Sequence, residues 1–171
     1  MSKTFKEKLH QIKCFIFDVD GVFTDGTVMV MANGDQNRNM NIKDGYALQH
    51  AIKQGYKVAI ISGGSSEGVR TRFKGLGVTD IYLGQRHKLG AFEDYLAIYN
   101  LNPEEILYMG DDLPDYEVMQ KVGLACCPAN AATEIKTISH YISPKNGGDG
   151  CVRDVIEQVL KNHAKWLDDT V

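Results

Sequence analysis

Five short runs, KCFIFD (13–18), KVAIIS (57–62), DIYLG (80–84), ILYMGD (106–111) and GLACC (123–127), are apolar at successive positions rather than alternate ones. A strand wet on one face has to alternate, whereas a strand apolar on both faces must be covered on both, as in a parallel sheet with helices above and below. The intervals agree with this. From Asp44 onward, Leu48, Ala51 and Ile52 share one helical stripe; Ser66 precedes a helical stretch to Leu76; 87–99 and 114–122 follow the same habit. The expected fold is α/β, a doubly wound, Rossmann-like parallel sheet. At 171 residues the chain suits one such domain, expected over 1–171.

One segment breaks the alternation. TVMVMANGDQNRNMN (27–41) has two alternating arms around Asn33-Gly34, and the spacing predicts a small β-hairpin insertion with a two-residue type I′ turn. No other interval could hold a cap domain over the sheet. In the tail from Cys151 to Leu167, Val152, Val155, Ile156, Val159 and Leu160 recur at helical spacing, which predicts a packed terminal helix.

Composition narrows the partners. With 43% hydrophobic residues, 24% charged residues and a net charge of −3, the chain reads as a soluble globular protein whose diffuse negative balance disfavours nucleic acid. Lys and Glu interleave in MSKTFKEKLHQIK where a signal peptide needs an apolar core, and no run is long enough for a bilayer, so no membrane is expected and the location is expected to be cytoplasmic. Cys14, Cys126, Cys127 and Cys151 form no CxxC pair and read as reduced core residues.

In an open parallel sheet ligands bind beyond the carboxyl ends of the strands. There stand Asp18 and Asp20 after the first run, Ser62-Gly63-Gly64 after the second, and Gly110-Asp111-Asp112 with Asp115 after the fourth. Two unit charges about 5 Å apart repel by roughly 3 kcal/mol at an effective dielectric near 20, so Asp18 and Asp20 require a cation or a shared proton. Carboxylates without His or Cys favour Mg²⁺ over zinc. DVDG lacks the spacing of a calcium loop, and SGGSS lacks the ending of a P-loop. An aspartate attacking phosphorus needs positive charge to approach a phosphate dianion. Lys88, at the start of a helix after the third run, could supply part of it, although a lone lysine there is most often solvated.

DVDGVFTD, Ser62, Lys88 and GDDLPD, in that order, resemble the motifs of the haloacid dehalogenase superfamily of aspartate-nucleophile phosphohydrolases, over about Lys13 to Arg153. The resemblance implies that Asp18 attacks the phosphoryl group, that Asp20 protonates the leaving oxygen and then activates water, and that Ser62 and Lys88 hold the phosphate. It implies Mg²⁺ on Asp18, the main-chain carbonyl of Asp20 and Asp111, with Asp112 and Asp115 supporting that shell.

DGVFTDG, NIKDGYA (41–47), GQRHKL (84–89), GDDLPD (110–115) and GGDGCVRD (147–154) are further similar to a capless, tetrameric branch acting on phosphorylated sugar acids. That likeness implies hydrolysis of 3-deoxy-D-manno-octulosonate 8-phosphate (KDO 8-phosphate) to KDO and phosphate, a step toward lipopolysaccharide, with 2-keto-3-deoxynononate 9-phosphate as the alternative. It implies substrate contacts at Asn41, Ile42, Lys43, Asp44, Gly45, Gly63 and Arg72, and a homotetramer whose neighbouring subunits cover the site. Arg70, Arg86 and Arg153 are further basic residues expected near the rim. A non-catalytic phosphatase-like assembly and a receiver-type signalling module are the remaining alternatives; a receiver also pairs strand-end carboxylates with Mg²⁺, but it requires no second acid two positions after the phosphorylated one. Asp20 therefore favours turnover.

Overall fold

The computed structural model describes residues 3–167. Along the chain come α1 (Phe5–Gln11), β1 (Cys14–Phe17), a hairpin of β2 (Met29–Val30) and β3 (Gln36–Asn37), α2 (Ile42–Lys53), β4 (Lys57–Ile61), α3 (Glu67–Gly75), β5 (Asp80–Tyr82) and α4 (Lys88–Tyr99). They continue with β6 (Ile106–Met109), α5 (Tyr116–Met119), β7 (Leu124–Cys127), α6 (Thr133–Ile138), β8 (Tyr141–Ile142) and α7 (Cys151–Asn162). The sheet order is β5-β4-β1-β6-β7-β8, every pair parallel. Strand order therefore reverses at β1, and the crevice where such sheets bind ligands opens beyond its carboxyl end.

Alternate side chains of the central strands feed two cores. Phe15, Phe17, Val58, Ile60, Leu107 and Met109 pack beneath α1, α2, α3 and α7, which contribute Leu9, Leu48, Phe73 and Ile156. Cys14, Ile16, Ala59, Ile61, Ile106 and Tyr108 face the other way, toward Phe92 and Tyr95 of α4, Val118 of α5 and Ile135 of α6. This two-sided burial is why the strand sequences do not alternate. All four cysteines are free and buried. Among the described residues no helix is long and apolar enough to cross a membrane.

The hairpin forms, but not with the expected turn. Val30 pairs with Gln36, Met31 N–H donates to Asp35 O at 2.8 Å, and Gly34 N–H donates to Met31 O at 2.9 Å, leaving a three-residue loop. Type I′ needs positive φ at both central residues, yet only Gly34 (φ +90°) has it, so the loop is a type I turn closed by a glycine bulge. The Asn33 side chain accepts from Asp35 N–H at 3.0 Å and donates to its carboxylate at 2.8 Å, which holds this form. Three elements add to the sequence reading: α1, α6 and β8. The tail helix stops at Asn162 rather than Leu167, because Ala164 turns left-handed (φ +56°) and Lys165 N–H closes on Leu160 O at 2.7 Å. The expected helix over 114–122 is a 3-10 turn (Leu113–Asp115) running into the short α5.

Candidate active site

β1 ends by handing Asp18 to the rim, where its N–H still donates to Met109 O at 3.1 Å. The Asp18 carboxylate is buried; Oδ1 accepts from Val19 N–H at 2.6 Å, and Oδ2 lies 2.8 Å from Lys88 Nζ. Lys88 opens α4 and is only 3% exposed, so it is no solvated helix residue. Its ammonium also donates to Asp115 Oδ1 at 2.7 Å. Asp115, fully buried, takes Tyr108 Oη–H at 2.6 Å on the same oxygen, and the N–H groups of Asp111 and Asp112 at 3.0 and 3.4 Å on the other. Both Asp115 oxygens are thus occupied by the protein itself, while Asp111 keeps its side chain for the rim. The Asp112 carboxylate caps the 3-10 turn through Leu113 N–H at 2.8 Å.

One oxygen from each of Asp18, Asp111 and Asp115 lies within 4.8 Å of the others. Burial and the charge of Asp115 push the Asp18 carboxyl well above the ordinary range, against the pull of Lys88. Burial, then Asp115 and Asp112, push Asp111 up to about 7. Burial works to lower the Lys88 ammonium, but Asp18 and Asp115 outweigh it and raise it, so it stays charged. Three carboxylates against this ammonium leave excess negative charge on oxygen donors alone, a setting that fits a hard divalent cation and not zinc. Gly21 makes room for the cluster: with φ at +80°, a Cβ there would fall 1.8 Å from Asp111 Oδ2.

Ser62, 3% exposed, follows β4 and accepts from Gly64 N–H at 3.3 Å. Asp18, Asp20, Ser62, Gly63, Lys88 and Asp111 line one cavity of about 310 Å³, so the fold brings these predicted residues together. Asp20 stands apart from the acidic cluster. Its two oxygens face Arg38 of the hairpin's return arm, Nε to Oδ1 at 2.6 Å and Nη2 to Oδ2 at 3.1 Å. Asp18 and Asp20 line the same cavity, and each has its own basic partner, Lys88 for the first and Arg38 for the second.

The segment 41–45, expected as a loop, instead opens a helix. Asn41 is the N-cap of α2, accepting from Lys43 N–H at 2.9 Å, and the next four residues are its first turn. Asp44 is fully buried and accepts from Arg153 N–H of α7 at 2.8 Å; Gly45 is buried, with Arg72 Nη2 2.7 Å from where its Cβ would be. Asn41 and Lys43 border a groove with Lys145 and Arg153. Ile42 and Arg72 line a separate cavity of about 510 Å³ with Arg38 and Ser66. Arg70 donates to Ile81 O at 3.2 Å, and Arg153 pairs with Glu157 and lies over the Trp166 ring. Arg86 is exposed. Two residues were missed, Arg38 and Tyr108. Arg38 is the only basic residue of 27–41, and Tyr108 the only hydroxyl in its strand, which are the sole signals either offers.

Residues 79–156 match the haloacid dehalogenase-like hydrolase family, a class in keeping with a parallel sheet that joins a carboxylate to a lysine at its central strand end. The chain is 39% identical over 162 residues to the 3-deoxy-D-manno-octulosonate 8-phosphate phosphatase of Escherichia coli K12, covering 95% of this chain and 86% of that protein. The crystal structure of the same enzyme from Yersinia pestis superposes with a TM-score of 0.93 at 35% identity, over 95% of this chain and 88% of that one. The Moraxella catarrhalis enzyme, in complex with magnesium, phosphate and KDO, gives 0.91 at 34% identity, over 94% and 92%. The chain belongs to the 3-deoxy-D-manno-octulosonate 8-phosphate phosphatase family of the haloacid dehalogenase-like hydrolases.

Proposed function

We propose that this chain is a Mg²⁺-dependent phosphatase that hydrolyses KDO 8-phosphate to KDO and phosphate. The observation that carries the reading is the Asp18 carboxylate held 2.8 Å from the buried Lys88 ammonium at the mouth of the central strand. Asp18, the main-chain carbonyl of Asp20 and Asp111 would hold Mg²⁺, whose charge offsets the repulsion between a carboxylate and a phosphate dianion. Lys88, kept charged by Asp18 and Asp115, binds the equatorial phosphate oxygens together with the Ser62 hydroxyl and Gly63. An Asp18 oxygen forms a bond to phosphorus as the bond to the sugar oxygen breaks, and Asp20 delivers the proton that the leaving oxygen needs. Asp20 then takes a proton from water, which attacks the same phosphorus, releases phosphate and restores Asp18.

The same reading places the enzyme in the cytoplasm as a single capless domain, assembled as a homotetramer whose neighbours cover the open rim. Its support is the hairpin, where Met29 and Val30 are 64% and 70% exposed and offer apolar surface that a neighbouring subunit could cover. The test is phosphate release from KDO 8-phosphate and from its nine-carbon homologue, with and without Mg²⁺, alongside light scattering for mass. Steady turnover abolished by Asp18→Asn supports the enzyme. One equivalent of stable phospho-protein from the native chain refutes it in favour of a receiver-type module.

A further inference from the structure

The hairpin is exposed from Val28 through Asn37, yet the next side chain, Arg38, is only 7% exposed. Its guanidinium grips both oxygens of Asp20 at 2.6 and 3.1 Å and is braced by a third bond, Nη1 to Gln36 O at 3.0 Å. A planar fork on a carboxylate fixes direction as well as distance, which a lysine cannot do. The place where it grips is also constrained. A Cβ on Gly64 would sit 3.3 Å from Arg38 Nη2, 3.5 Å from Asp20 Oδ2 and 3.8 Å from Ser62 Oγ, so the pair is seated on the bare backbone beside the phosphate-binding hydroxyl. Each Asp20 oxygen still has a lone pair free of Arg38.

We propose that Arg38 is a positioning residue of the reaction: it aims the Asp20 carboxylate across the Ser62–Gly64 loop, so that proton delivery to an unactivated sugar alkoxide depends on the hairpin being in place. The inference rests on the reading of Asp20 as the proton carrier. It makes the hairpin part of the chemistry as well as of assembly.

Esters with different leaving groups test this. An alkoxide cannot depart without a proton, whereas p-nitrophenolate can. With Mg²⁺ and the full chain, Arg38→Ala is expected to lower kcat/KM, which reports expulsion of the leaving group and not the later attack of water that both esters share, by about 100-fold on KDO 8-phosphate, the cost of a misplaced catalytic group, with KM within about threefold, and by less than about threefold on p-nitrophenyl phosphate. Arg38→Lys, which keeps the charge but loses the fork, should recover only part of the loss. In an Asp20→Asn background Arg38→Ala should cost less than about twofold more, because the group it aims is gone.

Equal losses of kcat/KM on both esters, or a raised KM with unchanged kcat, would overturn the proposal, the first making Arg38 structural and the second making it a substrate contact. Full activity in Arg38→Ala beside a dead Asp20→Asn would also overturn it while leaving the phosphatase reading intact. No turnover of either ester by the native chain would remove that reading, and this one with it.

Discussion

Asp44 is fully buried where α2 meets α7; one oxygen accepts from Arg153 N–H at 2.8 Å and the other, Oδ2, has no hydrogen-bond partner among the described residues. Burial raises its carboxyl from the ordinary 3.8 to about 6, although the N–H groups of Arg153 and Gly150 and the Arg153 charge pull it down. The folded protein therefore binds this proton more tightly than the unfolded chain does. Ionised Asp44 opposes folding above pH 6, and the opposition lifts as pH falls from 6 toward 3.8. At 1.36 kcal/mol per pKa unit the opposition reaches about 3 kcal/mol near neutral pH, of which about 2 kcal/mol disappears between about pH 7.5 and pH 4.5. In Asp44→Asn the amide oxygen can keep the bond to Arg153 N–H while the charge is gone. Urea unfolding of both proteins at the two pH values, read as midpoint and m, isolates the effect because every other titrating group is shared. The variant's stability relative to the native chain should fall by about 2 kcal/mol on acidification. Parallel pH curves, with a difference constant to within about 0.5 kcal/mol, would show that Asp44 is not held against its charge.

The architecture was legible because burial on both faces writes itself into successive residues, as in CFIF and ILYM, and because a doubly wound sheet places its chemistry at strand ends. What escaped was short or half-wet. β8 is two residues, one exposed and one half-buried, and α1 buries only Leu9 among its seven residues, so neither has a periodicity to read. At the site, Asp18, Ser62, Lys88 and Asp111 could be picked out one strand end at a time, but their partners could not. Tyr108 points out of an apolar strand like any core aromatic, and only the fold sets its hydroxyl on Asp115. Arg38 reaches Asp20 from eighteen positions along the chain, a contact that no local pattern encodes. The misread stretch at 41–45 did carry its own signal: an Asn followed three residues later by an acid is a helix start, and Asn41 and Asp44 are placed as one.

Two further outcomes test the acidic cluster from opposite sides. Tyr108→Phe removes one donor from the buried Asp115, leaving Lys88 as the only partner of that oxygen, so a stability loss of about 1–2 kcal/mol is expected, measured by thermal melting, with the fold retained. Gly21→Ala attacks the cluster through geometry. The backbone at φ +80° disfavours any side chain, and the added methyl carbon would fall 1.8 Å from Asp111 Oδ2, closer than any nonbonded contact allows. Asp111 must give way, since its carboxylate sits on a rim loop and Gly21 on the turn that carries Asp18 and Asp20 into place. The expected result is at least a tenfold higher Mg²⁺ requirement, of the kind seen when a ligand's orientation is lost, read by titrating Mg²⁺ against phosphate release. A variant that melts lower but keeps its Mg²⁺ requirement would mean that Asp111 moved without cost, and that it does not ligate the ion.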